Sequence, residues 1–287
     1  MSELVIGLVS GGERNTKDWE YVRAWVMSLR GSGYRGDAAL VTATCEPDLA
    51  ENCRAYGVRT FEISRDEFWT RHRPNFPAGR FLPLGRVIAD AYPDHFVIST
   101  DVRDVFFQRN PFDWFTERYS DQSYRARLFA SSEEVALDDG SIAGVWNADR
   151  IEQLFGARMR EEARGTTSYN AGVICGHASL LAGLMRTIYL MCFNFKGAGG
   201  DQAAYNLLLE QEPYRSLAEP LGLEDALAVN FGAIKAGLVD ASRLPRYEGG
   251  LIQNAGGKVF AIVHQYDRIP EAAALVSARL GDLSAVE

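Results

Sequence analysis

Short apolar runs alternate with amphipathic stretches from the start of the chain. Residues 4–9 (LVIGLV) predict a buried first strand, punctuated by Ser10, Gly11 and Gly12. Trp19, Val22, Val26 and Leu29 recur at helical spacing ahead of Gly31 and Gly33. Residues 38–44 (AALVTAT) predict a second strand, a short helix follows, and 58–63 (VRTFEI) predict a third. Such a β-α-β-α-β opening is explained most economically by parallel strands with helices over the sheet faces. Further along, 82–91 predict a helix leading into a strand at 96–100, 125–132 (RARLFASS) a strand, and 149–163 a helix. Residues 169–176 (YNAGVICG) read as an approach loop running into a strand, 178–193 as a mainly apolar helix, and 258–263 (KVFAIV) as a last strand ending at His264. No repeat or low-complexity linker divides the chain. The expectation is one α/β domain over 1–287, with a mostly parallel twisted central sheet flanked by helices.

The most informative stretch follows the apolar run at 96–98. Asp101, Arg103 and Asp104 stand where the predicted strand ends, and open α/β sheets expose their ligand sites at that end. An isolated buried carboxylate carries a large desolvation cost, so these charges must reach solvent or find partners. Two carboxylates could hold a divalent cation while the guanidinium binds a diphosphate. An Arg-Asp pair that merely fixes a loop satisfies the same residues.

Composition narrows the field without choosing a reaction. Hydrophobic residues make up 47% of the 287 and charged residues 24%, the balance of a globular protein. A formal charge of −8 argues against a nucleic-acid surface, which needs clustered Lys and Arg. Arg71, His72, Arg73 and Arg80 form a local basic group suited to one diphosphate rather than a polymer. Cys45, Cys53, Cys175 and Cys192 lack zinc-site spacing and read as reduced thiols. No basic leader precedes an apolar segment, and no run approaches the ~20 apolar residues of a spanning helix. A cytoplasmic protein is expected, with peripheral contact at the inner membrane face left open. Gly11 and Gly12 could let backbone N–H groups approach a nucleotide, but GxGxxG and GxxxxGK patterns are missing. Phe106, Phe107, Phe112, Trp114 and Phe115 read as core; Trp146, near Gly140 and Gly144, is either an acceptor-stacking surface or a partial core cover.

Read together, STDVRDVFFQRNPF, YNAGVICG, GGDQAAYN and AIVHQYDR resemble the ordered motifs of bacterial nucleotide-sugar-dependent glycosyltransferases with a GT-A fold. The resemblance spans roughly residues 4–268. It implies a nucleotide-sugar-binding part over 1–110 and an acceptor-binding and catalytic part over 111–287. It also implies a cation, Mn²⁺ in preference to Mg²⁺, held with the donor diphosphate by an acidic motif. The usual Asp-x-Asp is here Asp-x-x-Asp, with Asp101 and Asp104 as ligands and Arg103 between them. By resemblance His264 is the third ligand, although a purely structural histidine fits the same position. Arg80 and Arg268 are candidates to stabilise the leaving diphosphate, with an Arg268–Asp267 surface pair as the alternative. Asn170 resembles a residue that contacts the donor sugar or the acceptor hydroxyl, and its amide can both donate and accept. Asp201, with Gln202 beside it on the donor side, resembles the acid near the transfer centre; capping its helix is compatible with that role.

The implied reaction transfers a hexose, by resemblance from a UDP-sugar, to a hydroxyl of a glycan, glycolipid precursor or small natural product, with retention. A metal-dependent nucleotidyltransferase, a nucleotide-sugar hydrolase and a non-catalytic binding relative remain as alternatives.

Overall fold

The computed structural model describes residues 2–9, 19–43, 45–64 and 76–284. Gly11, Gly12 and the basic residues Arg71, His72 and Arg73 lie outside these. Among the described residues the largest sheet has seven strands in the order β3-β2-β1-β4-β7-β6-β8. These are β1 (Glu3–Val9), β2 (Asp37–Thr42), β3 (Val58–Glu62), β4 (Phe96–Thr100), β6 (Leu128–Ala136), β7 (Thr167–His177) and β8 (Ala218–Leu221). The first four run parallel, as the βαβ pattern predicts. The mostly parallel sheet holds with one exception: β7 is antiparallel to both β4 and β6, while β6 and β8 pair parallel, so the sheet is mixed rather than purely parallel. Alternating apolar residues mark a strand and its buried faces but carry no information about its direction.

Each face of this sheet buries its own apolar layer. Val5, Val9, Phe96 and Ile98 pack on one side with Trp25, Val26 and Leu29 of the helix Trp19–Gly31. Leu4, Ile6, Leu8 and Val97 point the other way, onto Leu84 and Ile88 of the helix Phe81–Ala91 and Leu181, Leu184 and Met185 of the helix Ala178–Met191. Every residue of β4 is buried, so the chain must leave the sheet once charged residues begin.

Other boundaries differ from the sequence reading. Tyr169 and Asn170 belong to β7 itself rather than to an approach loop. The helix expected over 149–163 is two, Ile142–Phe155 and Ala157–Ala163, broken where Gly156 takes φ 89°. A short 3₁₀ turn at Ser123–Ala126 precedes β6, and the last apolar run forms a ladder only over β12 (Ile262–His264).

A second, three-stranded sheet positions the late histidine. β12 pairs antiparallel with β5 (Val105–Phe107) and parallel with β9 (Ala228–Asn230), putting His264 opposite Val105 on one side and Asn230 on the other. Among the described residues no helix is long and apolar enough to cross a membrane.

Candidate active site

The bend between β4 and β5 is fixed from both ends. Trp25 Nε1 donates to Thr100 Oγ1 at 2.8 Å, and Ser28 Oγ accepts from the Phe107 amide at 3.0 Å, so one helix holds both flanking strands. Between them Val102 is buried against Gly7, where a Cβ would come within 2.4 Å of Val102 Cγ2. With Val102 packed inward, Asp101 and Asp104 turn toward the end of the sheet. Asp101 N donates to Gly172 O of β7 at 2.7 Å, and Gln265 N to Asp104 O at 2.7 Å. These two bonds tie the bend to β7 and to the end of β12.

Asp101, Asp104 and His264 each present one ligand atom, all within 4.8 Å of one another. His264 is 1% exposed. Its Nε2 lies 3.3 Å from Asp101 Oδ2 and 3.9 Å from Asp104 Oδ1, while Nδ1 lies 2.8 Å from Asn230 Oδ1. Asn230 Nδ2 already donates to Ser131 Oγ at 2.9 Å and Ser132 O at 3.0 Å. Its Oδ1 is therefore the acceptor for an Nδ1–H, which leaves Nε2 facing the two carboxylates. Two oxygen donors and one oriented imidazole nitrogen suit a divalent cation of the Mg²⁺ or Mn²⁺ type.

The charges around this cluster are unevenly compensated. Arg80, at the start of the helix Phe81–Ala91, pairs with Asp101 Oδ1, and its Nη2 also reaches Ala171 O at 3.0 Å and Asp201 Oδ2 at 3.4 Å. Burial pushes the Asp101 carboxyl up, but Arg80, His264 and Arg103 together outweigh it and hold it below the ordinary aspartate value. Asp104 goes the other way: burial and the Asp101 charge raise it despite His264 and Arg103. Asp201 is also raised, by burial first, with Arg80 opposing and Asp101 adding to the rise. Close carboxylates in one desolvated site behave this way until a cation is supplied.

Arg103 Nη2 lies 3.1 Å from Asp104 Oδ2 and Nη1 2.6 Å from Asp267 Oδ2. Asp267 thus pairs with Arg103 and not with Arg268. Asp201 sits in the first turn of the helix Gly200–Leu209, whose cap position is Gly199, so its side chain does not occupy the cap.

Beside the cluster opens a cleft of about 370 Å³, lined by Asn170, Gln202, Gln265, Arg268, Glu133 and Trp146 among others. Trp146 is 38% exposed and Ile142, a turn earlier, 86% exposed at its rim. Glu133 of β6 organises the floor and escaped the sequence reading. Its carboxylate accepts from Asn170 Nδ2 at 2.9 Å, Gln202 Nε2 at 2.8 Å, Ser168 Oγ at 3.0 Å and Asn147 Nδ2 at 3.3 Å. Asn170 Oδ1 in turn accepts from Gly172 N at 2.7 Å. Asn206, of the Asp-Gln-x-x-x-Asn run, clasps the Tyr169 backbone through N–H and C=O at 2.7 and 3.0 Å. Asn230 also went unnoticed, although a polar residue closing the apolar run LAV is the signal that marks Asp101 and His264.

Gly172 lies at the centre of these contacts. A Cβ there would stand 2.5 Å from His264 Cε1 and 2.8 Å from both Asn170 Oδ1 and Asp101 Oδ2. All three neighbours are anchored, so Gly172→Ala is expected to push His264 and Asp101 apart. Overpacking of this kind costs about 1–3 kcal/mol. The expected outcome is a lowered melting temperature and at least a tenfold loss of Mn²⁺ affinity, read by thermal melts and metal titration. Wild-type values in both would remove Gly172 from the account.

No protein-family model matches the sequence, and no curated protein matches it either. Solved structures do. The galactosyltransferase LgtC in complex with donor and acceptor sugar analogues superposes with a TM-score of 0.58 at 14% identity, over 99% of this chain and 95% of that one. An active-site mutant of LgtC gives 0.57 at 12% identity with the same coverage. The chain therefore has a GT-A-like α/β fold over essentially its whole length.

Proposed function

We propose that this protein is a metal-assisted, nucleotide-sugar-dependent glycosyltransferase that moves a hexose from a UDP-hexose to an acceptor hydroxyl with retention. The observation that carries the reading is the Asp101–Asp104–His264 cluster, beside a cleft lined by Asn170, Gln202, Gln265 and Arg268. The fold shared with a galactosyltransferase bound to donor and acceptor sugar analogues supports the same class.

Asp101, Asp104 and His264 would hold a divalent cation, which would supply positive charge to the departing diphosphate. The mixed donor set favours Mn²⁺ over Mg²⁺. Arg268 lines the cleft without a carboxylate partner among the described residues and serves the same diphosphate. Arg80 keeps Asp101 ionised and holds Asp201 in place. Asn170 and Gln202, their amides set by Glu133, address hydroxyls in the cleft. In the transfer, the bond from the anomeric carbon to the diphosphate oxygen breaks and the bond to the acceptor oxygen forms. Retention is supported by the carboxylates at hand already being engaged, Glu133 by four donors and Asp201 by Arg80. The proton of the acceptor hydroxyl then passes to the leaving diphosphate. Residues 1–110 supply the donor side, and 111–287 the acceptor side together with His264.

Product analysis tests the reaction class. With a UDP-hexose, Mn²⁺ and a panel of hydroxylated acceptors, the expected product is a glycosylated acceptor of unchanged anomeric configuration plus UDP. Free hexose as the sole sugar product would make the protein a hydrolase, and a new nucleotide conjugate would make it a nucleotidyltransferase.

A further inference from the structure

Gln265 follows the histidine of the cluster and takes the left-handed conformation, φ 62° and ψ 33°, which a side chain other than glycine adopts at a cost. The bond from its amide N–H to Asp104 O accounts for the backbone but not for the side chain. The residue is 9% exposed, and its Oε1 is shut off from solvent with no hydrogen-bond donor in reach. An unmade hydrogen bond at a buried amide is destabilising, so such a group calls for an explanation.

The neighbouring chain keeps room for this amide. Gly232 faces it across the cleft wall, and a Cβ there would lie 2.8 Å from Gln265 Oε1 and 3.3 Å from Arg268 Nη1. Gln265 lines the same cleft as Asn170, Gln202 and Trp146. The terminal torsion of a glutamine is broad, so a small rotation turns the unsatisfied Oε1 toward an occupant of the cleft.

The missing partner must be a donor. Phosphate oxygens accept and cannot satisfy a carbonyl, whereas a sugar hydroxyl donates and accepts at once. We infer that Gln265 binds a ring hydroxyl of a sugar in this cleft and so contributes to sugar specificity. The inference rests on the glycosyltransferase reading above and narrows it to one contact. The hydroxyl belongs either to the donor hexose or to the acceptor, and the two are separable.

The test compares wild type with Gln265→Met, which keeps the length and removes the amide. Binding of UDP, UDP-glucose and UDP-galactose is titrated in Mn²⁺, and the acceptor KM is measured on the best substrate pair. UDP affinity is expected to stay within twofold. Either the affinity for the UDP-hexose falls about three- to tenfold, assigning the donor hydroxyl, or the acceptor KM rises by that factor, assigning the acceptor hydroxyl. The free variant is expected to melt at the wild-type temperature or above, because no internal hydrogen bond is lost. A drop in affinity for UDP itself overturns the inference, since the amide would then serve the nucleotide. So does a variant unchanged in every arm, or one that melts lower. Wild type that binds no UDP-hexose defeats the glycosyltransferase reading as well, whereas normal wild-type binding with an unchanged variant defeats this inference alone.

Discussion

Asp101→Asn is expected to lower kcat/KM by about a thousandfold or more, roughly 4 kcal/mol of transition-state stabilisation, while leaving the fold intact. Asparagine preserves shape and a hydrogen-bonding oxygen but removes the charge that faces both His264 Nε2 and Arg80. The loss should fall on metal-dependent steps, so Mn²⁺ affinity drops in parallel and added Mn²⁺ restores only part of the rate. Circular dichroism and melting distinguish this from unfolding. A folded variant with wild-type turnover would show that the cluster has no part in the reaction.

Arg80→Met has the second large expected effect, and it falls on stability first. One guanidinium compensates Asp101 and Asp201 and also satisfies the Ala171 carbonyl. Removing one partner of such a buried set leaves uncompensated charge and costs about 3–5 kcal/mol. The effect carries a pH signature. Burial already raises Asp201, with Arg80 the main opposing influence, and Arg80 is the largest influence holding Asp101 down. Without it both carboxyls bind protons in the folded chain at pH values where the unfolded chain has released them. Stability should therefore be lowest at and above neutral pH and recover as pH falls toward those raised values. Denaturant melts across that range check it; a deficit independent of pH would mean that Arg80 contributes packing rather than charge compensation.

The readable parts of the site were those written in consecutive residues. A fully apolar strand broken by Asp101, Arg103 and Asp104 is visible because burial and charge conflict within a few positions. His264 is visible for the same reason at the end of its own apolar run. What could not be read depends on which strands lie side by side. Glu133 meets Asn170 and Gln202 through the β6–β7 pairing and the helix Gly200–Leu209, across sequence separations of 37 and 69. Asn230 reaches His264 only through the β9–β12 register. The reversal of β7, which brings Gly172 beside Asp101, is likewise a property of pairing. Arg268 shows the same limit, because its neighbour in sequence, Asp267, is taken by Arg103 from the other side of the chain.

The measurement that bears most directly on the central claim is a calorimetric titration of metal-free protein with UDP, with and without Mn²⁺, alongside GDP as a control. The account predicts UDP binding that depends on Mn²⁺, is weaker with GDP, and is lost in Asp101→Asn. Because Asp104 must be ionised to bind the cation and its carboxyl is raised, the Mn²⁺-dependent affinity should also weaken as pH is lowered. UDP binding that is indifferent to Mn²⁺, or no binding of either nucleotide in any condition, would contradict it.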